Sequence, residues 1–118
     1  MSVLEDLNRQ FGDYLAEEKK EDWERVKTTL LIHQTVSGEV RARYPFGVFI
    51  DGGVGFPMLI RVPELEQARE RPFHFPENYP PVGTVVSARV VGFDDRQRQV
   101  VLTQRSNHPI PARPPDSD

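Results

Sequence analysis

The sequence predicts a mainly β domain: a small antiparallel barrel of five strands, preceded by an N-terminal helical segment and followed by a disordered, proline-rich tail. Three observations carry this. Apolar residues recur at helical spacing up to Leu30, where the period changes to two. Five short apolar runs follow, separated by turns rich in glycine and proline. The length, 118 residues, suits one domain with a modest core that needs good closure. The expected division is a helical extension over 1–30, a barrel over 31–105 and a tail over 106–118.

Ser2 is followed three residues later by Glu5, the spacing of a capping box. Leu4, Leu7, Phe11 and Leu15 then form a helical stripe with Tyr14 beside it. Gly12 weakens that helix by about 1 kcal/mol relative to alanine. The stripe lapses across "AEEKKED" and resumes at Trp23, Val26 and Leu30. This reads as one long helix, or two with a bend near Glu18–Asp22. Its apolar face either packs on the rest of the domain or binds a partner.

The first strand is "VSGEVRAR", in which Val36, Gly38, Val40 and Ala42 share one face. Pro45 ends or bends it. "FGVFID" is the second strand, "GGVG" a turn and "FPMLIRV" the third, with Pro57 confined to an edge or to the strand's first residues. The connection "EQARERPFHFPENYPP" is punctuated by prolines, with a turn of helix expected at its start in "PELEQARE". "GTVVSARVVGF" is the fourth strand, "DDRQR" a hairpin turn and "QVVLTQ" the fifth. The tail "SNHPIPARPPDSD" has little to bury. Five short strands with a long insertion between the third and fourth suit an OB barrel, which closes a small core without exposed edges.

Composition narrows the function classes. With no cysteine, disulfides and thiolate metal sites are excluded. No apolar run approaches the roughly 20 residues of a membrane helix, and no signal pattern opens the chain, so no membrane partner and a cytoplasmic location are expected. Net charge is −3, mildly against nucleic acid, but it is uneven: −3 over residues 1–30, +1 over 31–105 and −1 over the tail. All nine basic residues of the middle segment are arginine, which forks onto phosphates and stacks on bases. Catalysis finds no support. His33, His74 and His108 are scattered without metal-ligand spacing, and "GGVG" lacks the lysine and following helix of a phosphate loop. No cofactor, no metal and no enzyme activity are expected.

The segments "VSGEVRARYPFGVFIDGGVGFPMLIRVPEL" and "VGTVVSARVVGFDDRQRQVVLTQR", about Thr35 to Arg105, resemble the S1-type RNA-binding domain of the ribosomal small-subunit protein. The family's successive motifs match Gly38–Val40, Phe46–Ile50, Met58–Leu65, Val82–Val90 and Asp94–Thr103 in order and spacing. The helical extension and the tail are outside the match. The resemblance implies an OB fold with RNA lying across the second and third strands. Carried over by position, Phe46 and Phe49 are the stacking surfaces and Asp94 is retained. Arg61 stands where the family has histidine. Gln99 stands at the late arginine position, with Arg98 beside it as the RNA-contacting arginine the resemblance implies. Met58 replaces a glycine and Pro63 a serine.

The residues can also be read without the family. Val48 and Ile50 share one face of their strand, so Phe49 points the other way. If the aliphatic pair is inside, Phe49 is outside, free to stack on a base unless the helical segment or the Phe73–Phe75 loop covers it. Arg61 faces away from Ile60 and Val62, toward phosphate or toward a salt bridge with Asp51 or Glu64. Asp94, at a hairpin start, serves RNA or simply caps the turn. Arg41 and Arg43, on the outward face of the first strand, follow a nucleic-acid backbone or merely solubilise it. The expected function is binding of single-stranded RNA through an aromatic and arginine face, with a ribosome-associated setting. The alternative is a protein-interaction module that has lost most RNA binding. Its protein partner would dock through the N-terminal helix or the Phe73–Tyr79 loop.

Overall fold

In the computed structural model, which describes residues 2–69 and 73–105, so that the expected tail over 106–118 lies outside the described residues, the chain opens with helix α1 (Val3–Phe11). The capping box forms: the Glu5 N–H donates to Ser2 Oγ at 3.1 Å, and the Ser2 N–H donates to the Glu5 carboxylate at 3.0 Å. The Ser2 backbone N–H, and then the Ser2 hydroxyl, hold the Glu5 carboxyl below its usual range. Gly12 ends the helix. It adopts φ +78°, a region strained for any side chain, and its N–H returns to the Asn8 carbonyl. The break therefore falls ahead of the bend expected near Glu18–Asp22. A 3-10 turn over Glu17–Lys19 leads into α2 (Lys20–Thr29).

Five strands follow close to their expected positions: β1 (Thr35–Tyr44), β2 (Gly47–Asp51), β3 (Met58–Arg61), β4 (Val85–Asp94) and β5 (Gln99–Thr103). They close into a barrel in the order β1-β2-β3-β5-β4. One pairing departs from the antiparallel expectation. β3 and β5 run parallel, with Met58 opposite Val100 and Ile60 opposite Leu102. The long connection between β3 and β4, followed by the β4–β5 hairpin, brings β5 back beside β3 in the same direction. The connection begins with two 3-10 turns, Val62–Glu64 and Glu66–Arg69, where a turn of helix was expected.

Closure depends on the two ten-residue strands. β1 pairs with β4 over its first half and with β2 over its second; β4 likewise passes from β1 to β5. Each carries a bulge just beyond the handover, between Val40 and Ala42 and between Val90 and Gly92. An extra residue bends and twists a strand, which lets it serve two neighbours. The first bulge overturns the expected face of β1: Val40 pairs with Ile50 toward the interior, while Ala42 pairs with Phe49 on the outer wall. Alternation alone had put Val40 and Ala42 together.

Val40, Val48, Ile50, Ile60 and Leu102 fill the interior and are fully buried, as is Met58, the residue that departs from the family's glycine. The end where β3 begins is stoppered by Trp23, whose ring lies 5.2 Å from Phe56 and 6.0 Å from Phe93. Val26 of α2 and Leu30 just after it are buried with it, so the helical stripe packs on the barrel. Two bonds to one carboxylate fasten α2: the Trp23 Nε1–H and the Lys27 ammonium donate to Asp95 at 2.9 and 2.7 Å. Lys27, and then Trp23, hold the Asp95 carboxyl below its ordinary range. Leu65, beyond the far end of β3, is fully buried.

Candidate nucleic-acid interface

On β2 and β3 the interior pair Val48 and Ile60 alternates with two outward pairs, Phe49 with Leu59 and Gly47 with Arg61. Phe49 was expected to be exposed on this wall; it is 1% exposed. Its ring meets Tyr44 and Phe46 edge-to-face at 5.9 and 6.0 Å. Helix α1 also lies against the wall. The Tyr44 hydroxyl donates to the Asp6 carboxylate, Gln10 Nε2 reaches the Arg41 carbonyl at 3.5 Å, and Leu7 is buried in one cluster with Phe49, Ala42 and Leu59. Phe49 points outward as the alternation requires, but the chain's own N-terminal segment and neighbouring rings close over it.

Phe46, at the turn between β1 and β2, remains 46% exposed. Tyr44 stacks on it with ring centres 5.3 Å apart and planes within 2°. Burial, and then the Asp6 contact, push the Tyr44 hydroxyl's pKa up, so it stays a neutral donor. Gly47 lets β2 approach β3 this closely: a Cβ there would stand 2.4 Å from the Ile60 carbonyl oxygen and 2.9 Å from Arg61 Cα. The Val62 N–H donates to the Phe46 carbonyl at 2.9 Å and ties the end of β3 to the same turn.

Arg61, directly opposite Gly47, is exposed and makes no ion pair among the described residues. The carboxylates expected to compete for it are engaged elsewhere: Asp51 with Arg41 at 3.5 Å, and Glu64 with Arg105 at 4.0 Å and the Thr103 hydroxyl at 2.6 Å. Arg43 donates to the Pro76 carbonyl at 3.4 Å and likewise has no carboxylate partner among the described residues. Phe46 and Arg61 thus gather at one end of the outer wall, whereas Arg43, paired with the interior residue Val48, is on the other face of β1 and is tied to the Pro76 carbonyl.

The remaining candidates do not join them. Arg41, at the bulge, is drawn to Glu39 at 3.1 Å and to Asp51. Asp94 and Arg98 are in the β4–β5 hairpin, at the opposite end of β5 from the strand end beside Arg61. Asp94 accepts from the backbone and side-chain N–H groups of Gln97 at 3.1 and 3.2 Å, capping the turn. Arg98 donates to the Tyr14 and Ala16 carbonyls at 3.2 and 2.8 Å, clamping the α1–α2 connection onto the barrel.

Tyr44 was not singled out in the sequence. Simple alternation would have turned it inward and Arg43 outward, and the bulge at Arg41 reverses both: Tyr44 pairs with Gly47 on the outer wall and Arg43 with Val48 on the interior side. The Phe73–Tyr79 loop adds a second aromatic group. Phe73 and Tyr79 stack at 5.2 Å, Phe75 meets Tyr79 edge-on at 4.9 Å, and the Tyr79 hydroxyl donates to the Pro45 carbonyl at 2.7 Å. Among the described residues no group of His, Asp and Glu could hold a metal ion, and no helix is long and apolar enough to cross a membrane.

No family model and no curated protein matches the sequence. Solved structures do match the fold. GSP13 from Bacillus subtilis superposes with a TM-score of 0.55 at 18% identity, over 75% of this chain and 64% of that one. RNase R from Mycoplasma genitalium, in complex with ribose-methylated single-stranded RNA, gives 0.53 at 20% identity, over 74% of this chain and 15% of that one. A Pyrococcus horikoshii complex of a/eIF2alpha, aDim2p and rRNA gives 0.51 at 22% identity, over 64% of this chain and 44% of that one. The chain therefore spans about two thirds of the first and a small part of the second. Identities this low establish shared architecture. The strand order and these likenesses define the chain as a five-stranded OB-fold barrel with a helical N-terminal segment packed on it.

Proposed function

We propose that this chain binds single-stranded RNA as an S1-type module, through a face smaller than the resemblance implies. Phe46 is the exposed stacking surface, Tyr44 and Phe49 support it from behind, and Arg61 meets phosphate. One observation carries the reading. An exposed ring, stacked on a second aromatic, stands beside an arginine that no described carboxylate neutralises. A base added to such a stack gains about 1–3 kcal/mol, and a guanidinium supplies the accompanying charge. The solved likenesses that include single-stranded RNA and rRNA support the same ligand class. Binding without catalysis, in the cytoplasm, belongs to this reading.

The test is titration of labelled single-stranded RNA at several salt concentrations with the wild type, Phe46→Ala and Arg61→Gln. Phe46→Ala should weaken binding at every salt concentration. Arg61→Gln should also flatten the salt dependence by about 0.7 of a unit in the log–log slope, the share of one phosphate contact on a single strand. Absence of binding by the wild type, or wild-type affinity in both variants, would sink the reading.

A second reading, a protein-interaction module, draws on the N-terminal segment. Phe49 and Arg98, both assigned to RNA by resemblance, are engaged in holding that segment, whose Leu4 and Leu15 are exposed. Pull-down with and without ribonuclease separates the two. Partners that survive digestion favour the module, and partners lost with it favour RNA.

A further inference from the structure

We propose that the connection between β3 and β4 supplies a second base-stacking position at Phe75, so that the ligand is a short RNA strand laid across the Pro45 turn from Phe46 to Phe75. The proposal rests on the reading of Phe46 as an RNA contact and extends it to a segment outside the β2–β3 wall.

Phe46 and Phe75 are both exposed, 46% and 42%, whereas Tyr79 is 4% exposed. Each exposed ring rests on a buried or half-buried one: Phe46 on Tyr44, and Phe75 against Tyr79, which itself stacks on Phe73. A ring held this way loses little freedom when a base covers it. The two groups are fastened to one turn. The Tyr79 hydroxyl donates to the Pro45 carbonyl at 2.7 Å, and Arg43 donates to the Pro76 carbonyl at 3.4 Å.

The loop that presents Phe75 is itself closed. The His74 N–H donates to Asn78 Oδ1 at 2.7 Å, the Asn78 N–H returns to the His74 carbonyl at 2.9 Å, and Pro76 restricts the backbone between them. Charge follows the same line. Arg61 stands beside the Phe46 turn, and Arg43, half-buried on the interior side of β1, reaches the Phe75 loop at the Pro76 carbonyl. Both guanidiniums lack a carboxylate among the described residues, and both suit the phosphates of a strand whose bases stack on either side. Base faces and phosphates together make a closer match to this arrangement of rings and cations than an apolar peptide does.

The experiment titrates labelled single-stranded RNA dinucleotide, tetranucleotide and octanucleotide against the wild type, Phe46→Ala, Phe75→Ala and Phe75→Leu, with Trp23 fluorescence reporting the fold. Phe46→Ala should weaken all three ligands. Phe75→Ala should weaken the octanucleotide by roughly 5- to 150-fold, the range one stacked base spans, and spare the dinucleotide. Phe75→Leu keeps an apolar contact on Tyr79 but has no π face, and should show the same loss with unchanged unfolding. Wild-type octanucleotide affinity in either Phe75 variant, with Phe46→Ala still impaired, overturns the second position and leaves the RNA reading intact. No wild-type binding, or indifference to Phe46→Ala, overturns both. A ribonuclease-resistant protein partner that requires Phe75, with RNA affinity unmoved, also overturns it.

Discussion

Truncating Phe49 and truncating Phe46 should separate stability from binding. Phe49 is 1% exposed and touches Tyr44 and Phe46 edge-to-face, so Phe49→Ala removes a fully packed ring. Large-to-small changes of that kind cost about 3–5 kcal/mol. The perturbation also undermines the support of Tyr44, to which Asp6 of α1 is bonded, so α1 should loosen with it. Phe46 is roughly half exposed, and its truncation forfeits about half the 1.5–3 kcal/mol of a buried phenylalanine, or ~1 kcal/mol of stability. Its larger effect should be on RNA, about 1–3 kcal/mol per stacked base. Trp23, the single tryptophan, is 2% exposed at the barrel end, so urea unfolding followed by its fluorescence reads the stability of both variants. Labelled RNA titrations on the same samples read binding. A Phe49→Ala protein with wild-type stability and greater RNA loss than Phe46→Ala would make Phe49 an open contact residue with no helix seated over it, and would overturn its place in the packed wall.

Three further outcomes follow from particular contacts. Arg98→Ala should cost about 1.5–3 kcal/mol, the range for hydrogen bonds to a charged group, and should raise hydrogen exchange in the α1–α2 connection ahead of the barrel. Gly47→Ala should destabilise by at least about 1–3 kcal/mol and broaden β2 and β3 amide signals, since the added methyl meets the β3 backbone at Ile60 and Arg61. The hydroxyls of Tyr14, Tyr44 and Tyr79 all have pKa values raised above 10.0, chiefly by burial. Phenolate absorbance should therefore rise at higher pH in the folded chain than in the unfolded chain. Because the folded state holds these protons more tightly, the associated stability is present below pH 10 and is lost as pH climbs through the raised values. Coincident titrations of folded and unfolded protein would contradict that.

What could be read along the chain was local. The Ser2–Glu5 box needs only three residues of separation, and the five strands declare themselves by alternation between turn residues. Asp94 as a turn cap and Arg61 as an outward-facing cation also follow from near neighbours. Alternation was right that Phe49 points out of the barrel. It tells which side of a strand a residue takes; it is silent on what later comes to rest on that side. That was decided by contacts between residues far apart: Asp6 with Tyr44 at a separation of 38, Tyr79 with Pro45 at 34, and Arg98 with Tyr14 at 84. The bulge at Arg41 arises because one strand must serve two neighbours in a closed sheet, and it alone brings Tyr44 outward beneath Phe46. Local spacing and residue type were enough for a barrel of five strands and a supply of rings and arginines. Only tertiary packing decided which rings became core and which remained open, because burial depends on every surface that meets a residue, and most of those surfaces are far away in the chain.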